Sequence, residues 1–160
     1  MAVIKVSTSA QLVAAISGAR AGDVISLSAG DYSSVTIQNV NPSGTVTITS
    51  ADPSAPATLH GFMVKASSNL TFENLNLSVD ATSSLTPFIV FGSKNIALSH
   101  LDVGGQPLAS QAVSTGIMIR QSQSVSVSDS TFHELRFGVS MLDNTGVTIT
   151  QSLLRDIRTD

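Results

Sequence analysis

The chain has 160 residues and a formal net charge of -3, and its composition is 42% hydrophobic, 12% charged and 4% aromatic. A chain of this length makes one domain with a sizeable core. The acidic balance excludes a general nucleic-acid binder, which needs a basic surface. A sequence without cysteine cannot form a disulfide scaffold or a thiolate metal site. No apolar run of about 18 residues occurs, so no membrane-spanning helix is expected.

A strand and a helix are expected before the main body of the chain. Residues 3–6 alternate as a short strand. Thr8 and Gln11 then have the spacing of a capping box, in which the threonine hydroxyl accepts from an amide of the first turn. Apolar residues at helical spacing and a glycine stop predict a short amphipathic helix, through Leu12, Val13, Ile16 and Gly18. Because repeat arrays need atypical end units, residues 1–22 are predicted to cap an array formed by residues 23–160.

That array begins with short strands and continues as four stretches that align column for column. Alternating apolar residues predict strands over 24–28, 35–37 and 44–49, and a proline-containing loop covers 52–56. In the four later stretches, apolar and polar residues alternate with the strand period of two. Their offsets of 26, 29 and 22 residues are typical of one coil of a β-solenoid. The stretches are residues 62–77, 88–103, 117–132 and 139–154.

The segments between these stretches differ in length, so the variation is predicted to fall at one corner of the coil. They are residues 78–87, 104–116 and 133–138. Insertions collected on one face of a solenoid often build a binding surface.

One column of the alignment is polar where an inward or turn residue is expected. Parallel strands stack about 4.8 Å apart, so a column forms a ladder along the solenoid axis. The favoured interpretation is structural, with side chains that cap a tight turn and bond to neighbouring rungs. The alternative is catalytic, since His100 and Asp129 are adjacent in the ladder. The column contains Asn74, His100, Asp129 and Gln151.

A second column, on the outer face, combines cationic and apolar residues: Lys65, Phe91, Arg120 and Leu142. In one interpretation a loop or partner covers the apolar members, and the cationic stems lie over that apolar surface. In the other, this face is a shallow groove for a sugar chain. Two cations two rungs apart, about 10 Å, could then bind two carboxylates of a polymer. Lys65, Phe91 and Arg120 are therefore candidate substrate-binding residues.

His133 is a further candidate substrate-binding residue, placed with Glu134 in the shortest corner loop. The alternative is a solvated turn, because a lone imidazole and carboxylate carry no geometric specificity. Asp102 without a second oxygen cluster is poor evidence for calcium, and no metal site is predicted. No nucleophile–base–acid set, P-loop or HExxH spacing occurs, so no catalytic residue is assigned.

The end of the sequence lacks a recognisable C-terminal cap. Arg155 and Asp156 are expected to pair with each other or with a next rung. An uncapped rung exposes unpaired backbone and apolar side chains, which favour association. We therefore expect the chain to be the N-terminal portion of a longer β-helix domain, and we expect it to self-associate end to end in isolation.

The opening segments resemble a known family. Residues 9–16, 19–25 and 29–32, and rungs such as 69–75, are similar to those of pectin-lyase-like right-handed parallel β-helix proteins. The resemblance is closest to the N-terminal part of the alginate lyase and chondroitinase B group. The predicted fold class is thus all-β, a right-handed parallel β-helix with a short N-terminal capping α-helix.

This resemblance implies cleavage or epimerisation of uronic-acid polysaccharides by abstraction of the proton at C5. In that group a lysine and an arginine on later rungs act, often with calcium against the carboxylate. Those rungs are expected beyond Asp160, so the roles are not assigned here. No cofactor is evident in this segment, and calcium is expected only in a longer parent.

Two functions remain open at this point. The first is a secreted or surface carbohydrate-active protein acting on acidic polysaccharide, with the present segment inactive alone and without a Sec signal. The second is a non-catalytic β-solenoid for polysaccharide binding, adhesion or spacing in a larger surface protein. A phage tail-spike segment is a third hypothesis, and it would require trimerisation.

Overall fold

The structure is a computed structural model that describes residues 1–79, 87–105 and 115–157. It contains one α-helix, α1 (Ser9–Gly18), within these ranges. In chain order the strands are β1 (Val3–Val6), β2 (Val24–Leu27), β3 (Asp31–Tyr32), β4 (Val35–Gln38), β5 (Val46–Ser50), β6 (Thr58–Leu59), β7 (Phe62–Lys65), β8 (Ser68–Glu73), β9 (Asn76–Ser78), β10 (Phe88–Phe91), β11 (Lys94–Ser99), β12 (Asp102–Gly104), β13 (Thr115–Arg120), β14 (Gln123–Ser128), β15 (Thr131–Leu135), β16 (Phe137–Leu142), β17 (Thr148–Thr150) and β18 (Leu153–Ile157).

The strands form three parallel sheets that wind into a coil. Sheet A has the order β1-β2-β5-β8-β11-β14-β17, sheet B has β3-β6-β9-β12-β15-β18, and sheet C has β4-β7-β10-β13-β16. Each full turn contributes one strand to sheet C, then one to sheet A, then one to sheet B, and each strand pairs with its equivalent in the next turn. The predicted parallel β-helix with a helical cap is confirmed.

The register between rungs agrees with the alignment of the sequence. In sheet C, Phe62 pairs with Phe88, Phe88 with Ile117, and Ile117 with Val139. The offsets of 26, 29 and 22 residues recur in sheets A and B. Since a slip of one residue would turn every inward side chain outward, the apolar columns fix this register.

Among the four aligned stretches the length variation does fall at one corner, between sheet B and sheet C. Residues 79–87 join β9 to β10, residues 105–114 join β12 to β13, and residue 136 alone joins β15 to β16. In these four stretches the other two corners keep a constant length and use left-handed backbone, whereas residues 39–45 and 51–57 lengthen the same corners in an earlier rung. At the corner from sheet C to sheet A, Asn39, Ala66, Gly92, Gln121 and Asp143 occupy equivalent positions with φ between 48° and 58°.

Aromatic side chains fill the interior where the sheets face each other. Phe62 of sheet C stacks on Phe72 of sheet A, with ring centroids 5.0 Å apart, and meets Phe88 edge to face at 5.1 Å. All three rings are at most 1% exposed. Burial of such a side chain contributes about 1.5–3 kcal/mol before entropy is counted, and aromatic pairs add to it. The fold is therefore held by contacts that cross from rung to rung.

A ladder of buried serines follows the corner from sheet C to sheet A. The Ser67 amide donates to Ser93 Oγ and the Ser93 amide to Ser122 Oγ, each at 3.2 Å. The Ser122 amide continues the ladder to Asn144 Oδ1 at 2.9 Å. These hydroxyls satisfy backbone donors that the turn leaves without strand partners, and burial makes such satisfaction necessary.

The N-terminal helix closes the first rungs as predicted. The Gln11 amide donates to Thr8 Oγ1 at 3.2 Å, and Gln11 Oε1 accepts from the Ser7 amide at 2.9 Å, one residue before the cap residue. Leu12 and Ile16 are each 1% exposed and belong to the core. The helix packs on β1, β2 and β4. The described ranges contain no helix able to cross a membrane.

Asp23 ties the N-terminal segment to the first rung. Its Oδ2 accepts from the Arg20 amide at 2.9 Å and its Oδ1 from the Ala2 amide at 2.8 Å. Both hydrogen bonds lower the pKa of Asp23 because they favour the charged carboxylate, and the bond from the Arg20 amide has the larger effect. The ionised form therefore stabilises the turn before β2.

Asp23→Asn is expected to reduce the free energy of unfolding in a pH-dependent way. Because the pKa is lowered in the folded state, the contribution is fully present above the unfolded pKa of about 3.9 and is lost as the pH falls through the folded pKa. Urea denaturation at pH 6 and at pH 3 measures the difference between wild type and variant. A difference that is equal at both pH values would contradict this role.

Candidate functional site

Three of the predicted substrate-binding residues lie in one outward column of sheet C. Lys65 pairs with Phe91, and Phe91 pairs with Arg120, on successive rungs. Lys65 and Arg120 are exposed, and Phe91 is half-buried between them. Neither cationic side chain makes a hydrogen bond or ion pair within the ranges that the structure describes. Both are therefore available to an anion in solution.

The buried serine ladder sets the backbone beneath this column. Ser67 Oγ donates to the carbonyl oxygen of Lys65 at 2.9 Å, Ser93 Oγ to that of Phe91 at 3.0 Å, and Ser122 Oγ to that of Arg120 at 2.8 Å. Sequence reasoning missed these serines. The serines recur at the same offsets of 26 and 29 residues as the apolar columns, and this repetition could have identified the ladder.

The neighbouring outward column of sheet C is apolar over three rungs. Met63 is 38% exposed, and Ile89 and Met118, its partners on the next two rungs, are half-buried. The described part of this face thus combines two separated cations with a flat apolar surface. A polymer with carboxylates and apolar ring faces could contact both.

His133 lies on a different face, in sheet B, and does not join the Lys65 column. Its prediction as a corner-loop residue is wrong, because β15 continues through Leu135. Parallel pairing with β18 extends the strand, with His133 opposite Arg155 and Leu135 opposite Ile157. The residue after His133, Glu134, has left-handed backbone with φ 55° inside this strand.

His133 is held between two carboxylates. Its Nε2 lies 2.9 Å from Asp102 Oδ1 on the preceding rung, and its Nδ1 lies 3.3 Å from Glu134 Oε2. The side chain of His133 is 17% exposed, that of Glu134 29% and that of Asp102 57%. Carboxylates only accept, so both contacts are hydrogen bonds when both ring nitrogens carry protons. Asp102, expected to be an isolated acid, is instead oriented by the imidazole.

A second pair has the same geometry at the other end of sheet B. His60 Nε2 lies 2.8 Å from Asp31 Oδ1 on the preceding rung, and both side chains are exposed. The two residues are 29 positions apart in the sequence, so their contact could be predicted only from the strand register of the early rungs. Arg155 Nη1 and Asp156 Oδ2 pair at 3.4 Å, as expected.

The polar column occupies the corner from sheet A to sheet B. Its members have left-handed backbone with φ between 48° and 53°: Asn74, His100, Asp129 and Gln151. Asn74 Nδ2 reaches Thr49 Oγ1 at 3.4 Å. His100 and Asp129 stand on adjacent rungs, but the described residues show no hydrogen bond or ion pair between them. The backbone of this column turns the chain, while His100, Asp129 and Gln151 are exposed to solvent.

No three His, Asp or Glu side chains in the described ranges converge on a point where a metal ion could bind. Asp102 and Glu134 lie on opposite nitrogens of His133 and so do not share such a point. The calcium that the family resemblance implies finds no ligand set among these residues.

Comparison with known proteins places the fold. No protein-family model and no curated protein matches the sequence. An alginate lyase from Paenibacillus sp. str. FPU-7 matches in structure with a TM-score of 0.56 and 13% identity, over 99% of this chain and 68% of that one. The chain shares the parallel β-helix fold of that lyase. A "putative glycosyl hydrolase" from Parabacteroides merdae ATCC 43184 matches with a TM-score of 0.49 and 10% identity, over 96% and 77% of the two chains.

Within this β-helix, Gly104 makes room for the His133 ring. A Cβ added at Gly104 would touch His133 Cε1 and lie 2.6 Å from Nε2. We expect Gly104→Ala to displace the ring and lower the free energy of unfolding by about 1–3 kcal/mol. In Gly104→Ala/His133→Ala the clash is absent. The double variant should therefore lose less free energy of unfolding than the two single variants lose together. Urea denaturation of all three provides the test, and simple additivity would contradict the contact.

Proposed function

We propose that this chain belongs to a secreted or surface carbohydrate-active β-helix protein of lyase or epimerase type, and that it binds acidic polysaccharide along the outer face of sheet C. The observation that carries the proposal is the column with exposed Lys65 and Arg120 on either side of half-buried Phe91. The fold shared with an alginate lyase supports it. Guanidinium and ammonium groups are the natural partners of uronate carboxylates.

The spacing of the two cations favours binding over catalysis. Two rungs correspond to about 10 Å, which is too far for both groups to act on one reacting carbon. Two carboxylates on separate sugars of one polymer can instead contact the two cations. The half-buried ring of Phe91 lies where the apolar face of the intervening sugar would pack. Because β-sheet backbone and the serine ladder fix the column, little order is lost on binding.

Removal of either cation should weaken binding of an oligouronate. We expect Lys65→Ala and Arg120→Ala each to raise Kd roughly two- to fivefold, because exposed charge pairs contribute about 0.2–1 kcal/mol. Added salt should also raise the Kd of the wild-type chain, because it screens the charges. Isothermal titration calorimetry gives the affinities. Lys94→Ala, an exposed cation at the start of β11 in sheet A, serves as the matched control. Equal losses from all three variants would contradict a defined site.

Catalytic turnover separates this proposal from a non-catalytic binding solenoid. The two outward columns of sheet C offer no His, Asp or Glu within the described strands, and their two cations, Lys65 and Arg120, lie too far apart to act together at one C5. We therefore expect the 160-residue chain to bind oligouronate without releasing unsaturated product, as followed by absorbance, with or without calcium. Product from a longer parent would support the lyase type. Product from the chain itself would contradict a role for sheet C that is limited to binding.

We also propose that isolated chains associate end to end through the last rung. Apolar side chains of β16, β17 and β18 are 39–57% exposed there, among them Met141, Ile149 and Leu154. The unpaired edges of these strands can add to a second copy. Sedimentation should show a concentration-dependent dimer that Leu154→Asp shifts toward monomer. Met63→Asp, which changes an exposed methionine of sheet C, should leave the dimer intact. A monomer at all concentrations would contradict this association.

A further inference from the structure

A groove of about 260 Å³ follows the corner from sheet A to sheet B. We call it the corner groove. Pro53 and Pro56 form its apolar wall. Its polar lining comes from three successive rungs, about 10 Å along the axis. The polar residues are Asn74, Asn76, His100, Asp102 and Asp129.

Two side chains in the corner groove are not needed by the turn that carries them. His100 and Asp129 are exposed, and their side chains make no hydrogen bond within the described ranges. Left-handed backbone favours Asn, Asp and His but does not require them. The equivalent conformation at the corner from sheet C to sheet A is adopted by Ala66 and Gln121. The fold therefore accounts for the backbone at this corner but leaves the polar side chains free for a ligand.

Asp102, at the start of β12, lines the corner groove and is held in orientation by its neighbours. Its Oδ1 is held by His133 Nε2 at 2.9 Å, and His133 Nδ1 is in turn held by Glu134 at 3.3 Å. Oδ2 makes no hydrogen bond within the part of the chain that the structure describes. A carboxylate with one oxygen anchored and the other open can accept a ligand hydroxyl with little loss of side-chain entropy. His133 acts here as a positioning residue.

The charge of the lining selects the chemical class of the ligand. Two carboxylates and no lysine or arginine line the corner groove, so a uronate polymer is repelled. Carboxylates accept hydrogen bonds from hydroxyl groups, side-chain amides both accept from and donate to them, and prolines offer an apolar surface to a sugar ring. We propose that the corner groove binds a neutral saccharide, and that the Glu134–His133–Asp102 chain positions its central acceptor. This site is independent of the sheet C face and takes a different class of sugar.

NMR titration of the complete 160-residue chain tests this proposal. The probes are neutral gluco-, manno- and galacto-oligosaccharides, an oligouronate, and CaCl2 alone. We expect a neutral oligosaccharide to shift the backbone amides of residues 74–76, 100–102 and 129. Asp102→Asn should weaken that binding roughly tenfold or more, because hydrogen bonds to charged groups contribute about 1.5–3 kcal/mol. It should leave oligouronate affinity unchanged.

Variants distinguish a positioning role from a structural one. His133→Gln can still donate a hydrogen bond to Asp102, so it should bind the neutral oligosaccharide more tightly than His133→Ala does. The melting temperatures of both variants are measured to compare their stability. Asp143→Asn, at an exposed left-handed position of another corner, is the matched control and should bind as wild type. If Asp102→Asn unfolds, Asp129→Asn tests the same groove. Three results would each overturn the proposal: no neutral saccharide shifts these amides, only Ca²⁺ does so, or Asp102→Asn binds as wild type.

Discussion

Parallel pairing of each rung with the rung before it fixes the positions of the side chains on sheet C and in the corner groove. The pairing is specified by inward apolar columns, since Phe62, Phe88 and Ile117 can stay buried in only one register. Buried polar groups reinforce it, because the Ser67–Ser93–Ser122 ladder satisfies turn amides only when successive rungs align. An error of one residue would therefore cost both apolar burial and hydrogen bonds.

This stacking converts residues far apart in sequence into neighbours and separates charges onto different faces. Lys65 and Arg120 share a column of sheet C, while Asp102 and Asp129 line the corner between sheets A and B. A chain with net charge -3 can therefore present a cationic column locally. Long-range attraction of a polyanion is weak for such a molecule, so the specificity proposed for sheet C depends on short-range contacts.

Much of the fold was predictable from the sequence because its signals are local and repeated. Alternation identified the strands, and Thr8 with Gln11 identified the helix start. The assignment of His133 to a loop failed because β15 is prolonged by pairing with β18, and no local pattern reports a partner strand. The His133–Asp102 contact spans 31 residues and depends on the space above Gly104. Such contacts follow from register and side-chain volume together, so composition and spacing did not reveal them.

Backbone amide shifts on titration with an oligouronate test most directly whether the sheet C column is the polysaccharide face. The account predicts that the largest shifts lie in β7, β10 and β13, around Lys65, Phe91 and Arg120, and that they diminish with salt. Shifts concentrated at the corner between sheets A and B, around His100 and Asp102, would contradict it. So would shifts spread evenly over the surface.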